Sequence, residues 1–551
     1  MNVAQSIVKM LESLGVDALF TGSGQGSGDI LFAFAESEKI RTIMTRHEQA
    51  ASFMAYGYAM TSHKLGVCNA QGGPGSYNLF SGLGIAYSGS YPVMSIASYA
   101  PTKWRGKGDL GEVTGLNRTP DSQAMFGATT KKTFLIERPE QACDLFEEAV
   151  NLAYNGRPGP IHIDLPYDVA AAETKHHRDI KVEVKPILPL DKDIRLFAEY
   201  LEQALKSGKK VLAWFGFGCV HGAAGPELLE FVERFQIPFI TTMDAKGMIA
   251  DNHPLHLGMG GTCGDMGARQ ALKDAEVVLA VGNSFAKWQT WRFQEDIFDQ
   301  KVLMHINFDA HEIDKVYKAD FSMVSAVKPA MARLTEALAG RIKVTEKFRP
   351  VIDRNCCQPI VYQGAKVHPG QLSQELGRLL PEKAIVLGDA GAHMIWLAAY
   401  MQLNGGQCYK NPGSFGPMAS HTNAAIGVQL AAPDRRVIVG CGDGCYQMAG
   451  FELMTAVQNR IPIIWIIFNN SEFNIIKLFN LVAHGKEVFN HILGPDFAEY
   501  AKLCGANGFR VDRLEQFEPA FKAALASELP TVINVITDEE SVIPFKLYNQ
   551  E

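Results

Sequence analysis

The sequence predicts an α/β protein made of three doubly wound domains, each with a parallel sheet covered by helices on both faces. Short apolar runs suited to buried parallel strands alternate with helical stretches along the whole chain, and this alternation is typical of such sheets. The chain has 551 residues. That length is too great for one hydrophobic core and corresponds to about three domains of ordinary size.

The apolar runs fall into three groups. In chain order they are GVDALF, LGVCNA, PVMSIAS and PIHIDLP, then KVLAWFGFG, IPFITT, AEVVLAVG and VLMHINFD, and finally AIVLGDA, RVIVGCGDG, IPIIWIIFNN and PTVINVI. Charged, proline-bearing segments without a sustained period separate the groups, at residues 171–191 and 347–367, and are typical of linkers. We therefore expect domains at residues 1–172, 190–342 and 365–551.

The composition excludes several classes of protein. Hydrophobic residues make up 47% and charged residues 20% of the chain, which are ordinary globular values. The formal net charge of -7 argues against a nucleic-acid partner, which needs a concentrated basic surface. No apolar run reaches the length of about 18 residues that a membrane-spanning helix needs, and the first residues do not resemble a signal peptide. We expect a cytoplasmic protein that acts on small molecules, with no nucleic-acid or membrane partner.

A strand-end motif in the last third of the chain predicts a site for a phosphate-bearing ligand and a cation. Asp443 follows the apolar run RVIVGC and is flanked by Gly442 and Gly444, which allow backbone amides to approach an anion. Asn470 ends the next apolar run. A carboxylate, an amide oxygen and a main-chain carbonyl are the oxygen ligands that Mg²⁺ prefers beside a phosphate. Asp443, Asn470 and the main chain at Glu472 are therefore the predicted metal ligands.

In the first domain, a carboxylate at the start of a helical stretch is followed by a glycine-rich turn. Glu48 comes shortly after the run IRTIM, and the turn Gly73-Pro74-Gly75 precedes Asn78. Together with the strand-end motif, this pattern resembles the thiamine-diphosphate-dependent family of acetolactate synthase, pyruvate oxidase, oxalyl-CoA decarboxylase, 2-hydroxyacyl-CoA lyase and benzaldehyde lyase. The resemblance spans essentially the whole chain.

The resemblance implies that thiamine diphosphate and Mg²⁺ are the cofactors. The first domain is then the pyrimidine-binding domain, and the third is the diphosphate-binding domain. Glu48 is assigned the hydrogen bond to the aminopyrimidine ring, which favours the imino tautomer that removes the cofactor's C2 proton. Met418 is expected to hold the cofactor in a bent shape, with ordinary core packing as the alternative, and His393 is equally well explained as a structural histidine. The other residues that the resemblance places at the cofactor are Gly73, Asn78, Gly391, His393, Gly416, Gly442, Asp443, Gly444, Cys445, Asn470 and Ile475.

Further positions are matched to the substrate pocket of the family. Ile476 and Phe479 are expected to line it, although apolar residues on a helix are also typical of simple core packing. Gln123 resembles the active-site glutamine of acetolactate synthases, but its distance from Lys131 is shorter than in that group, and a polar surface residue is the alternative. The segment from Leu478 to Phe489 is a candidate lid.

The sequence leaves more than one reaction open. The first hypothesis is an acetolactate-synthase-like reaction, in which a 2-oxo acid such as pyruvate is decarboxylated and the product attacks a second carbonyl. The alternative is a 2-hydroxyacyl-CoA lyase or an oxalyl-CoA decarboxylase, because the cations and ring of Lys103-Trp104-Arg105-Gly106-Lys107 could hold a nucleotide. A catalytically silent binding subunit is a third hypothesis, which the intact set of Glu48, Asp443 and Asn470 disfavours.

The resemblance also bears on the middle domain and on assembly. The turn Gly216-Phe217-Gly218 resembles a nucleotide-binding feature, so FAD or ADP stays open as a ligand there. Flavin-binding acetolactate synthases carry an arginine where this chain has Asn283, and FAD is therefore not expected.

In the family the cofactor lies between the first domain of one subunit and the third domain of another, which implies a homodimer or a homotetramer.

Overall fold

Three parallel sheets form the framework of the protein. The computed structural model describes residues 1–342 and 348–545. Each sheet has six strands, and every neighbouring pair of strands is parallel. The predicted fold class is confirmed. None of the helices in the described ranges is long and apolar enough to cross a membrane.

The longest strand of the first sheet, Val93–Tyr99, is buried at every position. Its strands are β1 (Ala18–Thr21), β2 (Arg41–Met44), β3 (Gly66–Ala70), β4 (Val93–Tyr99), β5 (Thr133–Leu135) and β6 (Ile161–Pro166). The helices are α1 (Val3–Ser13), α2 (Gly28–Ala35), α3 (Glu48–Ser62), α4 (Pro74–Asn78), α5 (Phe80–Ser88), α6 (Ser122–Gly127), α7 (Ala142–Tyr154) and α8 (Tyr167–Ala171). The strand order is β2-β1-β3-β4-β6-β5.

The second sheet lies in the middle of the chain. Its strands are β7 (Val211–Phe215), β8 (Phe239–Thr241), β9 (His256–Met259), β10 (Val277–Val281), β11 (Val302–Asn307) and β12 (Phe321–Val324). The helices are α9 (Asp191–Lys206), α10 (Phe217–His221), α11 (Gly225–Phe235), α12 (Met266–Asp274) and α13 (Val327–Leu338). The strand order is β12-β11-β10-β7-β8-β9.

The third sheet lies in the last part of the chain. Its strands are β13 (Ala384–Gly388), β14 (Cys408–Lys410), β15 (Arg436–Gly442), β16 (Ile464–Asn469), β17 (Asn507–Val511) and β18 (Thr531–Ile536). The helices are α14 (Pro369–Leu379), α15 (Ala392–Tyr400), α16 (Ser420–Ala431), α17 (Asp443–Ala449), α18 (Glu452–Asn459), α19 (Asn474–His484), α20 (Phe497–Leu503) and α21 (Phe517–Ala526). The order β14-β13-β15-β16-β18-β17 makes β15 and β16 neighbours.

The chain is extended between the sheets. Residues 172–190 form no helix or strand, and residues 348–367 contain one short 3-10 turn at Asn355–Cys357 and no longer element. Lys347, at the start of the second predicted linker, lies outside the described residues. The domain boundaries predicted above stay predictions.

The first and third sheets share one hydrophobic core, whose buried residues come from both parts of the chain. Helix α3 lies against α16, and the two backbones approach closely because Gly57 and Gly427 have no side chains. A Cβ atom at Gly57 would overlap the carbonyl group of Ala424, and one at Gly427 would overlap the carbonyl group of Met54. The helix that begins at Glu48 is therefore fixed against the third domain of its own chain.

Replacing Gly427 with alanine is expected to lower the free energy of unfolding by about 1–3 kcal/mol, because the added methyl group forces two packed helices apart. Urea unfolding followed by circular dichroism measures the change. Gly28→Ala is the matched control, since Gly28 opens α2 with a φ of -51° and an added Cβ would meet no atom within 4 Å. Equal stability of the two variants would contradict the close packing of α3 on α16.

Candidate active site

The third sheet brings the two polar residues of the strand-end motif together. Strands β15 and β16 are neighbours, with Gly442 opposite Phe468. Asp443 directly follows β15 and Asn470 directly follows β16, and both residues line one cavity of about 470 Å³. Open parallel sheets bind ligands at this carboxyl edge of their strands.

Every residue that the sequence predicts for cofactor, metal or substrate in the third domain lines this same cavity. These residues are Gly391, His393, Gly416, Met418, Gly442, Asp443, Gly444, Cys445, Asn470, Glu472, Ile475, Ile476 and Phe479. They come from segments far apart in sequence, and the sheet topology places them around one space. Their individual roles stay predictions.

Asp443 is a buried carboxylate, with 3% of its surface exposed. Its Oδ1 atom accepts a hydrogen bond from the main-chain N–H of Gly444 at 2.9 Å. Burial raises the pKa of Asp443 to about 6, because the charged form loses hydration. A cation at this position would favour the charged form and offset that cost.

Side-chain contacts hold the turn after β16 in place. Asn470 Oδ1 accepts a hydrogen bond from the main-chain N–H of Glu472 at 3.2 Å. The Glu472 carboxylate forms an ion pair with Lys477 Nζ at 3.2 Å, and its Oε1 atom also lies 3.2 Å from His491 Nδ1. Because its side chain is engaged elsewhere, Glu472 is suited to offer a metal ligand through its main chain, as the sequence predicts.

Glycines leave open space beside His393. Gly391, with a φ of +149°, precedes α15, and a Cβ atom at Gly442 would lie 3.0 Å from His393 Nδ1. The main-chain N–H of Gly442 donates to His393 Nε2 at 3.2 Å. Burial lowers the pKa of His393 to about 3, because the cationic ring would be desolvated. His393 is thus a neutral acceptor that braces the Gly442 turn, and its contact with a cofactor stays a prediction.

Helix α19 gives the cavity its apolar side. Ile475, Ile476 and Phe479 line the cavity, and Ile476 and Phe479 lie three residues apart, on one face of the helix. Ile476 is 45% exposed and Phe479 is 37% exposed, more than core residues of a helix usually are. Met418 lines the cavity and also packs against the core that the first and third sheets share. Its position is compatible with both interpretations, the support of a bent cofactor and ordinary core packing.

Two residues of the middle domain also line the cavity, and the sequence does not predict them. Lys287 and Trp288 follow strand β10, and the Trp288 ring lies 6.0 Å from the ring of Phe479. Phe545 adds a third ring, 6.3 Å from Trp288. Lys287 and Trp288 reach the cavity through the docking of the middle domain on the third, for which a single sequence carries no local signal.

The first domain holds a separate group of predicted residues around Glu48. Glu48 is the first residue of α3, and its Oε2 atom accepts a hydrogen bond from Asn78 Nδ2 at 2.9 Å. A Cβ atom at Gly22 would lie 2.9 Å from Glu48 Cγ, and one at Gly75 would lie 3.2 Å from Oε1. These glycines therefore leave room beside the carboxylate. Gly73 has a φ of +76° and precedes the helix that carries Asn78.

Gln123 belongs to neither group of predicted residues. Its Nε2 atom donates to the buried Asp164 carboxylate at 2.7 Å and to the Phe134 carbonyl at 3.4 Å, which ties the amide to the first sheet. The catalytic role of Gln123 stays a prediction. Within the described ranges, no residue of the first domain lines the cavity around Asp443.

The glycine turn of the middle domain is packed against the chain itself. A Cβ atom at Gly216 would lie 2.6 Å from Asn283 Cα. The Asn283 carbonyl is hydrogen-bonded to His305 Nε2 at 2.9 Å and to Asn307 Nδ2 at 3.1 Å, which holds the Asn283 loop in place. Whether the middle domain binds FAD or ADP stays a prediction of the sequence.

Family models match the chain in three places. The N-terminal TPP binding domain of thiamine pyrophosphate enzymes matches residues 1–124, the central domain matches residues 199–334, and the C-terminal TPP binding domain matches residues 389–535. Each match covers one of the three sheets in whole or in large part.

Whole-chain relatives agree with these matches. A probable acetolactate synthase large subunit of Methanocaldococcus jannaschii is 30% identical over 559 aligned positions, which cover 99% of this chain and 93% of that protein. The acetolactate synthase large subunit of Corynebacterium glutamicum is 30% identical, with 98% of this chain and 88% of that protein covered.

A solved structure has the same fold. The thiamine diphosphate-dependent 4-hydroxybenzoylformate decarboxylase of Rhodococcus jostii RHA1 aligns with a TM-score of 0.86 at 23% identity, covering 98% of this chain and 100% of that one. The sequence relatives, the three domain matches and the fold all point the same way. The chain belongs to the family of thiamine-diphosphate-dependent enzymes that includes the acetolactate synthase large subunits.

Proposed function

We propose that this protein uses thiamine diphosphate and Mg²⁺ to decarboxylate a 2-oxo acid and to join the product to a second carbonyl compound, as acetolactate synthases do. The observation that carries the proposal is the single cavity in which Asp443, Asn470 and His393 lie with the apolar residues of α19. Its polar part suits a diphosphate with its cation. Its apolar part suits the reacting end of the cofactor and a small organic substrate.

The residues around Asp443 fit a magnesium diphosphate. The Asp443 carboxylate, the Asn470 amide oxygen and a main-chain carbonyl at Glu472 form a hard oxygen set of the kind that Mg²⁺ shares with phosphate groups. Asp443 is buried without a cationic partner among the hydrogen bonds and ion pairs of the described residues, and it contacts backbone amides. A bound cation would supply the missing positive charge.

When bound, thiamine diphosphate supplies a carbon nucleophile that adds to a carbonyl and accepts electrons from the bond that breaks. Asn78 holds one oxygen of Glu48, so the other oxygen is available to hold a proton at the pyrimidine ring. Phe479 and Trp288 provide an apolar wall beside the reacting end of the cofactor. Lys287 supplies a cation suited to the carboxylate of a 2-oxo acid.

The active unit is proposed to be a cytoplasmic homodimer or homotetramer. Glu48 does not line the cavity that contains Asp443 in its own chain, although the proposed reaction needs both groups at one cofactor. A second copy of the chain that presents its Glu48 to this cavity meets the requirement, and such a pairing is closed by twofold symmetry.

A 2-hydroxyacyl-CoA lyase or oxalyl-CoA decarboxylase remains the alternative function. Two of the cations in the cluster that suggests it are engaged within the protein. Arg105 pairs with Glu137 at 2.6 Å, and Lys107 Nζ donates to the Lys103 carbonyl at 2.8 Å. Trp104 is 42% exposed, so its ring is accessible to a nucleotide. A product assay distinguishes this alternative from the acetolactate-synthase-like reaction.

Replacing Glu48 with glutamine is expected to leave cofactor binding intact and to reduce exchange of the cofactor's C2 proton by at least about 10²-fold, because an amide cannot share a proton with the pyrimidine ring. Calorimetric titration measures binding, and acid-quenched NMR in deuterium oxide measures exchange. Glu38→Gln is the control, since Glu38 is an exposed carboxylate of the same domain. Exchange at the wild-type rate in Glu48→Gln would refute the role of Glu48.

Replacing Asp443 with alanine is expected to weaken thiamine diphosphate binding unless Mg²⁺ is supplied in excess, because the diphosphate would lose a ligand of its bridging cation. Titration of the cofactor at several Mg²⁺ concentrations measures the effect. Asp434→Ala serves as the control, since Asp434 pairs with Lys383 on the surface. The metal assignment is wrong if both variants bind cofactor like the wild type at every Mg²⁺ concentration.

Incubation with thiamine diphosphate, Mg²⁺ and pyruvate is expected to yield acetolactate or acetoin, which NMR detects directly. The Glu48→Gln variant controls for contaminating activity. A protein that is inert toward pyruvate and turns over a 2-hydroxyacyl-CoA or oxalyl-CoA would contradict the carboligase proposal. In that case the Trp104 region becomes the nucleotide contact to examine.

A further inference from the structure

We propose that Glu452 is a positioning residue that holds Glu48 in place across the interface between the third and first domains. The inference rests on the proposed function of Glu48. Glu452 is the first residue of α18, in the same stretch of chain as Asp443. It makes no contact with the cavity, so it would act only through the segment that leads into α3.

The Glu452 carboxylate binds the main chain directly before Glu48. Its Oε1 atom accepts hydrogen bonds from the main-chain N–H groups of Arg46 and His47, at 2.9 Å and 3.0 Å. Its Oε2 atom accepts a hydrogen bond from the Thr455 hydroxyl at 2.6 Å. Glu452 is 5% exposed. A buried carboxylate bonded by two backbone amides is a strong and directional anchor.

The side chain of Arg46 reinforces the same contact. Its guanidinium donates to Thr455 Oγ1 at 3.0 Å and to Gln458 Oε1 at 2.7 Å. Arg41 donates to the Asn459 carbonyl at 2.7 Å. The chain from the start of β2 to the start of α3 therefore contacts α18 along its whole length. Glu452 provides the contact directly before Glu48.

The position of this anchor explains why a hydrogen-bond acceptor is needed there. Two adjacent N–H groups precede the helix that begins at Glu48. Helical hydrogen bonds run from an N–H group to a carbonyl four residues earlier, so these two groups need an acceptor outside α3. Glu452, in another domain, accepts hydrogen bonds from both N–H groups and thereby fixes the position of the chain where α3 begins. A displacement of only about 1 Å at a catalytic group can cost on the order of 10²-fold in rate.

The anchor is tested first in the cofactor-free protein, by hydrogen exchange of peptides that cover residues 44–50. Glu452→Ala and Glu452→Asp are expected to speed exchange there, because both remove or withdraw the acceptor of the two amides. Glu452→Gln keeps an oxygen for them and is expected to exchange more slowly than Glu452→Ala. Unchanged exchange in Glu452→Ala would overturn the anchor.

Asp265→Asn is the matched control. Asp265 is also buried and accepts the main-chain N–H groups of Met259 and Asn355, at 2.7 Å and 2.6 Å, but it lies in the middle domain. This variant is expected to lose thermal stability without faster exchange at residues 44–50. It separates the local effect of Glu452 from the general cost of altering a buried carboxylate.

The second measurement is exchange of the cofactor's C2 proton, which requires no knowledge of the substrate. Glu452→Ala is expected to slow it by about 10²-fold while the cofactor Kd stays unchanged. Glu452→Asp is expected to slow it less, Glu452→Gln to recover most of it, and Asp265→Asn to leave it at the wild-type rate. If Glu452→Ala does not fold, the comparison of Glu452→Asp with Asp265→Asn decides the outcome.

Two results would overturn the role of Glu452, namely wild-type C2 exchange in Glu452→Ala and Glu452→Asp, or an equal loss in Asp265→Asn. Failure of the proposed function looks different. In that case the wild-type protein itself shows no C2 exchange, whereas hydrogen exchange at residues 44–50 still reports whether Glu452 holds the segment.

Discussion

The contact between α3 and α16 is the constraint on which the rest of this structure depends. Gly57 and Gly427 let the two helices meet at backbone distance, and the first and third sheets consequently share one core. Since α3 begins at Glu48, the location of that carboxylate is set by packing against the third domain and not by the first domain alone. A close-packed interface transmits small shifts instead of absorbing them.

The cavity around Asp443 follows from the order of strands in the third sheet. Because β15 and β16 are adjacent and parallel, the residues that follow them meet at one edge, and the N-terminal turn of α15 adds Gly391 and His393. Desolvation disfavours charge on both Asp443 and His393. The buried Asp443 carboxylate is therefore suited to a cation that carries an attached anion.

Sequence reasoning predicts the buried parts of this fold better than its edges. The long apolar runs correspond to central strands such as β4, β15 and β16, whose residues are buried on both faces. Short edge strands such as β5 and β14 do not appear among the predicted runs, because their partly exposed residues need no continuous apolar sequence. Between Asp443 and Asn459 the chain forms two short helices, α17 and α18, and the Gly450 carbonyl at the break accepts a hydrogen bond from the Tyr500 hydroxyl.

The candidate site also contains residues that the sequence predicts and residues that it does not. Residues that directly follow a strand or open a helix, such as Asp443, Asn470 and Glu48, have a local signal in the sequence. Trp288 and Lys287 reach the cavity only through the docking of the middle domain on the third, and a single sequence gives no measure of that docking. The position of Gln123, bonded to Asp164, likewise depends on how a short helix packs on β5 and β6.

The segment from Gly442 to Asn459 joins two tasks that the sequence presents as separate. Its first residues form the proposed metal site, and its later residues hold the main chain before Glu48 through Glu452 and Thr455. If Glu48 serves the cavity of a second copy, then one continuous stretch of chain contacts the cofactor of its own cavity and positions the activating carboxylate of the other. A movement of α17 and α18 would then change the position of the partner's activating carboxylate through these hydrogen bonds as well as through the packing of α3 on α16, which gives the two cavities of a dimer a direct physical route for coupling.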